Sequence, residues 1–361
     1  MKQSLFMAAV GTFLLTACST EPSFTFVGTA PADVPDGGMV YLLNDQKAVL
    51  DSAIIQNHTF TFKGRQDSAV QRIVDYKKDN HSFSANVFLE NGNIQLVYGE
   101  GQINVTGTPL NEAYTAFLKK SGDMNAQMRE VFKKSHDESL TNEQRGEIYD
   151  KLEEMRKQKQ DMIKETIDAH INDAMGVMMV AGFGRSYKDD QQKAWILQIP
   201  ESKRNAGINR MLSRIECREK TAVGQKFTDF AMKTPEGKDV KLSDFVSKNK
   251  YTLLDFWASW CGPCRGEMPN VAKAYKTYHK KGLGIVGVSL DDSAEKWTAA
   301  IKTLKMEWDN MSDLKGWASE GSKLYGVTGI PATVLIDQEG TIIARDLRGE
   351  KLEEKLKELL K

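Results

Sequence analysis

Cysteine is rare in this chain: four in 361 residues, at positions 18, 217, 261 and 264. So few cannot build the disulfide framework that holds small secreted domains together. An excess of charge is missing too, since 49 basic residues balance 49 acidic ones. That balance removes the electrostatic case for nucleic acid or an anionic membrane surface as partner. Beyond the first 18 residues no apolar run is long enough to span a bilayer. A second C-x-x-C and an H-x-x-x-H are both absent, so a zinc half-site at 261 and 264 would lack two ligands; neither a metal nor a bound cofactor is implied. Internal repeats and low-complexity segments are also missing. What remains is an ordinary globular composition, 40% apolar and 27% charged, in a chain long enough for two or three domains.

The N-terminus departs from that composition. Lys2 precedes the apolar stretch Leu5 to Leu15, and small residues Thr16 and Ala17 lead to Cys18. Leu15-Thr16-Ala17-Cys18 resembles a bacterial lipobox. The resemblance implies a signal peptide at 1–17, lipidation of Cys18, a tether over 18–23, and a soluble body anchored to a membrane. The other reading is a secretory signal in which Cys18 is incidental. Either way an exported chain meets an oxidising compartment, with the thiols of Cys217, Cys261 and Cys264 to place.

Residues 24–108 read as a small antiparallel β-sandwich or barrel. Runs such as Phe24-Thr25-Phe26-Val27 and Thr59-Phe60-Thr61-Phe62 alternate with turn residues, and Asn91-Gly92 is a type I′ hairpin signal. Over 109–221 the period becomes helical. Thr141-Asn142-Glu143-Gln144 has capping-box form, followed by Ile148, Leu152, Met155, Ile163, Ile167 and Ile171 on one face. Met175, Met178 and Met179 read as adaptable core packing. Cys217, in the helical run Met211 to Cys217, reads either as a half-buried helix cysteine or as one half of an intermolecular disulfide. The charged Arg218-Glu219-Lys220 marks a boundary, with a third domain over 222–361. The β segment with Gly107-Thr108-Pro109-Leu110-Asn111 resembles the uncharacterised domain that precedes thioredoxin modules in Bacteroidetes lipoproteins. Asn57-His58 stands where that family carries a turn glycine, and the turn is expected to survive, because His tolerates positive φ better than most residues.

The strongest signal starts at Tyr251. A strand-length run, Tyr251 to Trp257, holds a single acid, Asp255; Ala258-Ser259-Trp260 turns the chain, and Cys261-Gly262-Pro263-Cys264 opens a helix. A thiolate is the attacking species in disulfide exchange. At a helix start, Cys261 faces unpaired N–H groups and the positive end of the dipole, which favour the thiolate. Two intervening residues place Cys264 within ring-closing reach, and Pro263 sits where a missing N–H costs nothing. Cys261 is then the nucleophile and Cys264 the resolving thiol. A static structural disulfide is the alternative. Haem attachment needs a His after Cys264, and a peroxidatic site needs Pro and Thr at the positions of Leu254 and Ala258; neither condition is met.

Leu254 to Cys264 resembles the thioredoxin active-site strand and turn, and Gly329-Ile330-Pro331-Ala332-Thr333 the loop whose cis-proline faces the disulfide. Val223 to Phe230, Leu242-Ser243-Asp244-Phe245 and Arg265-Gly266-Glu267-Met268-Pro269 extend the likeness to the TlpA/ResA branch of membrane-anchored thioredoxins, with Thr228 where that family has a proline. The resemblance implies an α/β thioredoxin-like domain after a β domain and a helical segment. Asp255 would be a buried acid that relays the proton of the resolving thiol, and burial would raise its pKa; a solvated strand-end acid is the other reading. Pro331 would be the cis-proline. Glu267 would tune thiol acidity or be an ordinary surface glutamate. Trp260, Gly262, Pro263 and Ile330 would contact substrate. The segment between Asp292 and Pro331, with Trp308 and Trp317, would be the helical insertion of the branch.

The function expected is thiol–disulfide oxidoreduction of exported proteins from the periplasmic face of a membrane, with the outer membrane favoured by Ser19. Gly262-Pro263 and Ile330 favour a reductant near thioredoxin's potential of about −270 mV over an oxidant's of about −120 mV. A membrane thiol relay is the expected electron donor. The alternative is a non-catalytic binding lipoprotein in which the β domain binds and the thioredoxin fold is a scaffold.

Overall fold

The computed structural model describes residues 23–361 except 79, 100 and 101. The signal segment, Cys18 and most of the expected tether therefore lie outside the described residues. Contacts divide the chain into two compact units, the first ending at Gly184 and the second spanning Arg185–Lys361.

The first unit holds eight strands: β1 (Phe24–Thr29), β2 (Met39–Leu43), β3 (Val49–Ile54), β4 (Thr59–Gly64), β5 (Val70–Lys78), β6 (His81–Leu89), β7 (Gly92–Gly99) and β8 (Gln102–Thr106). They form two four-stranded sheets, ordered β4-β1-β7-β8 and β3-β2-β5-β6. Alternate residues such as Phe26, Phe60, Phe62, Val40, Val74 and Val87 meet in one buried core. Asn57 and His58 adopt φ of 50° and 56°, and the Asp36 carboxylate accepts both their N–H groups at 2.8 and 2.9 Å. The turn expected there is present.

Asn91-Gly92 corrects the sequence reading. It joins no hairpin, because β6 and β7 lie in different sheets and β7 pairs in parallel with β1. The pull is tertiary: the Asn91 amide bonds both to the N–H and to the carbonyl of Gln66, and Gly92 N–H donates to Ser23 O. The expected antiparallel domain thus contains one parallel pair. Three helices complete the unit: α1 (Pro109–Lys134), α2 (Asn142–His170) and α3 (Ala174–Phe183). Asn111 explains the motif that opens α1. Buried, it accepts from Phe88 N–H at 2.9 Å and donates to Phe88 O at 2.7 Å, satisfying the backbone at an edge strand. The capping box of α2 forms, with Thr141 and Gln144 exchanging both bonds. Met175 and Met179 are fully buried.

The second unit begins with α4 (Asp189–Gln198) and α5 (Ala206–Lys220) and continues through β9 (Ala231–Lys233), β10 (Asp239–Lys241), α6 (Ser243–Val246), β11 (Tyr251–Trp257), α7 (Gly262–Tyr278), β12 (Leu283–Ser289), α8 (Ala294–Thr303), β13 (Asp309–Ser312), α9 (Glu320–Leu324), β14 (Ala332–Asp337), β15 (Ile342–Arg345) and α10 (Gly349–Leu359). One seven-stranded sheet, β10-β9-β13-β12-β11-β14-β15, runs through it. β12 is buried at every position, which is why it reads as a continuous apolar run. The expected helical insertion contains α8 and α9 but also a strand, since β13 joins the sheet parallel to β12.

Side-chain contacts cross the expected boundary at 221/222. Thr221 is fully buried, and the Arg345 guanidinium donates to its carbonyl and hydroxyl at 2.5 and 2.8 Å. Arg218 pairs with Asp346 at 2.9 Å. Arg218-Glu219-Lys220 closes α5, which is part of the C-terminal unit. Half-buried Cys217, the free cysteine among the described residues, therefore lies inside that unit.

A 185–361 fragment is accordingly expected to fold. A 222–361 fragment should be less stable by about 2 kcal/mol, because truncation removes the two Thr221 acceptors of the half-buried Arg345 guanidinium and leaves it the Tyr325 carbonyl. Urea melts followed by tryptophan fluorescence would check this, and coincident midpoints would refute it.

Candidate active site

The site assembles where β11 ends and α7 begins. Cys261 is the N-cap of α7 with extended φ and ψ of −81° and 100°, and its sulfur accepts the Cys264 N–H at 3.1 Å. The two cysteines form a disulfide with Cα atoms 5.3 Å apart. Cys264 is wholly buried, whereas Gly262 and Pro263 are exposed. Ile330-Pro331 is a cis peptide, and the Ile330 carbonyl oxygen lies 3.7 Å from Cys261 Sγ. Trp260 stands exposed beside the pair.

Asp255 is buried in the middle of the sheet, opposite Gly287 of β12 and Thr333 of β14. Its Oδ2 has no hydrogen-bond partner within the protein. Burial pushes its carboxyl up to about 7, the negative charge of Glu267 adds to the rise, and Arg348 opposes it. Of the two readings of Asp255, the solvated strand-end acid is therefore ruled out by the structure.

Glu267 is not an ordinary surface glutamate either. Half-buried, it accepts the Gly349 N–H at the start of α10 at 2.7 Å and the Asn270 amide at 3.0 Å. A carboxylate at a helix N-terminus is favoured by the unpaired N–H groups there. The same carboxylate thus joins α7 to α10 and acts electrostatically on Asp255.

Two participants escaped the sequence reading. Arg348 donates from Nη2 to the carbonyl of Pro331, fastening the cis-proline loop to the start of α10. Nothing in the pattern around it announces this, since the contact exists only once β14 and α10 are in place. Asp291 is buried beneath the active-site turn. It accepts from Ser259 N–H at 3.0 Å, Ser259 Oγ at 2.5 Å and Ser289 Oγ at 2.7 Å. Its signal was available: an acid directly after an apolar parallel strand, at the carboxyl end of the sheet where sites gather.

No cluster of His, Cys, Asp and Glu able to hold a metal occurs among the described residues. Among them also, no helix is long and apolar enough to cross a membrane.

Comparison with known proteins agrees with this geometry. Residues 223–345 match the AhpC/TSA family, and residues 24–114 match a domain of unknown function, DUF4369. The chain is 34% identical over 143 residues to thiol-disulfide oxidoreductase ResA of Bacillus thuringiensis, a match covering 40% of this chain and 79% of that protein. It is 34% identical over 151 residues to thioredoxin-like protein YneN of Bacillus subtilis, covering 41% and 77%. Among solved structures, a thiol-disulfide oxidoreductase from Bacteroides fragilis is 37% identical, over 38% of this chain and 100% of that one, with a TM-score of 0.36. With a cysteine pair at a helix start, a cis-proline beside it and 34% identity to the ResA and YneN proteins over more than three quarters of their length, the chain belongs to the ResA-like thiol-disulfide oxidoreductases of the thioredoxin fold.

Proposed function

We propose that this protein is a lipid-anchored reductase of disulfides in exported proteins, with Cys261 as nucleophile and Cys264 as resolving thiol. The observation that carries the reading is the seating of Cys261: it caps α7, takes the Cys264 N–H on its sulfur, and lies beside the Ile330 carbonyl. In the reduced protein those first-turn N–H groups favour the thiolate. The Cys261 thiolate attacks one sulfur of the substrate disulfide, and the other leaves as a thiolate. Asp255 then takes the proton of Cys264, whose thiolate attacks Cys261 Sγ, closes the 261–264 bond and releases the second substrate thiol. The substrate gains two electrons from the cysteine pair and two protons, one from Cys264 by way of Asp255 and one from solvent. A membrane thiol relay returns the two electrons to the protein.

Glu267 and Arg348 set the proton affinity of Asp255 in opposite directions. Trp260, Gly262, Pro263, Ile330 and Pro331 border the substrate. The location rests on Leu15-Thr16-Ala17-Cys18: anchorage through Cys18 to the periplasmic face of a membrane, the outer one favoured by Ser19.

Reduced full-length protein should accelerate insulin reduction by dithiothreitol, and Cys261→Ser should abolish the acceleration. Insulin reduced no faster with the wild type than without it would refute the assignment. Cys18→Ala should move the protein out of the membrane fraction; a variant that stays there would overturn the lipid anchor.

A further inference from the structure

An exposed indole from the inserted segment stands next to the one that precedes Cys261. Trp260 and Trp317 are 53% and 48% exposed, with ring centroids 6.1 Å apart and planes tilted by 53°. Large aromatics left together in water are the exception on a folded surface and point to recognition. The loop that carries Trp317 is held in place. Asp313 accepts from Lys315 N–H at 3.3 Å and Glu320 N–H at 2.9 Å, closing the loop at both ends. Ser312, just before it, accepts the Leu314 N–H at 3.1 Å and donates to Ser289 O at 3.0 Å. Leu314 also takes a left-handed φ of 54°, unfavourable for a branched apolar side chain. A pinned loop that keeps an apolar ring in solvent gains nothing for the core, and a preorganised ring loses little entropy when something covers it.

From this we infer that Trp317, with Trp260, forms a selectivity platform that takes an aromatic or large aliphatic side chain adjacent to the target cysteine in an extended substrate. The inference rests on the oxidoreductase reading and names the substrate class it prefers. Geometry favours this occupant. Trp260 is the direct neighbour of the attacking cysteine. The Ile330 carbonyl lies 3.7 Å from the Cys261 sulfur, and Gly329 has open space around it. A chain whose cysteine reaches Cys261 brings its neighbouring side chain within reach of the indole that directly precedes Cys261 and of Trp317 beside it. Ring-on-ring contact adds specific attraction to plain apolar burial. The exchange step is unchanged: the substrate disulfide is reduced and the Cys261–Cys264 pair oxidised.

The test uses full-length reduced protein and three disulfides. Two are mixed disulfides of a short peptide with phenylalanine or with glycine next to its cysteine, and the third is 2-hydroxyethyl disulfide. Wild type should prefer the phenylalanine peptide by about tenfold in kcat/KM. Trp317→Ala should erase that preference through KM while leaving the 2-hydroxyethyl disulfide rate unchanged, and Trp317→Phe should restore most of it. A preference that survives in Trp317→Ala, or a loss equal on all three substrates, would overturn the platform. Wild type that reduces none of the three would overturn the oxidoreductase reading, and the platform with it.

Discussion

Replacing Asp255 by asparagine is expected to make the oxidised protein more stable at pH 8 while slowing its catalysis. A carboxyl held near 7 in the folded state, against about 3.8 unfolded, keeps its proton in the fold after the unfolded chain has lost it. The folded state then binds more protons across that window, so stability is fullest below about 4 and declines as pH rises towards about 7. Folding at pH 8 carries a penalty on the order of 4 kcal/mol for this one group. An amide at this position does not ionise, so Asp255→Asn should gain most of that at pH 8 and almost nothing near pH 4. All six tryptophans, Trp195, Trp257, Trp260, Trp297, Trp308 and Trp317, lie in the C-terminal unit, so urea melts by their fluorescence report on that unit. As a control, Glu267→Gln should shift the wild-type decline to lower pH, because it removes a charge that raises Asp255. Stability that is flat from pH 4 to 8 in the wild type would defeat the argument. In catalysis the amide cannot accept the Cys264 proton, so turnover should fall on the order of 10²-fold near neutrality. Unchanged turnover from pH 6 to 9 would remove Asp255 from the relay.

Cys264→Ala is expected to convert a turnover enzyme into a trap. Without a resolving thiol the Cys261 mixed disulfide persists, and the variant should hold substrate in a reducible adduct on gels. Cys261→Ala should hold none, because Cys264 is wholly buried. In this assignment the buried thiol acts after Cys261. Adducts on Cys261→Ala comparable to those on Cys264→Ala would reverse the assignment.

The parts of this architecture that were legible in the sequence are those whose causes are local. Tyr251 to Cys264 declares a strand, a turn and a helix start within one short window, and the capping box at Thr141 and the turn at Asn57-His58 depend only on neighbouring atoms. The misreadings have distant causes. Asn91-Gly92 satisfies every local rule for a hairpin, yet the Gln66 backbone claims Asn91 and β1 claims β7. The pairing of Arg218 with Asp346 likewise exists only once distant parts of the C-terminal unit are folded together. Periodicity shows that a helix has a buried face and leaves open which surface it meets. The same holds in the active site: Asp255 and the cysteines announce themselves by residue type and spacing. Arg348 is visible only through the carbonyl it holds.

The parallel pairing of β1 with β7 also sets a timetable. Of the described strands β1 is made first, but it lies inside its sheet, with Phe24 opposite Gly92. That sheet cannot close until the chain through β8 has been synthesised. Until then an early apolar segment waits with one hydrogen-bonding edge unpaired. Pairings of such long sequence separation form slowly and leave intermediates open to aggregation. The β domain should therefore be the late and vulnerable step in biogenesis, and a nascent chain stalled before β7 should be a strong chaperone client.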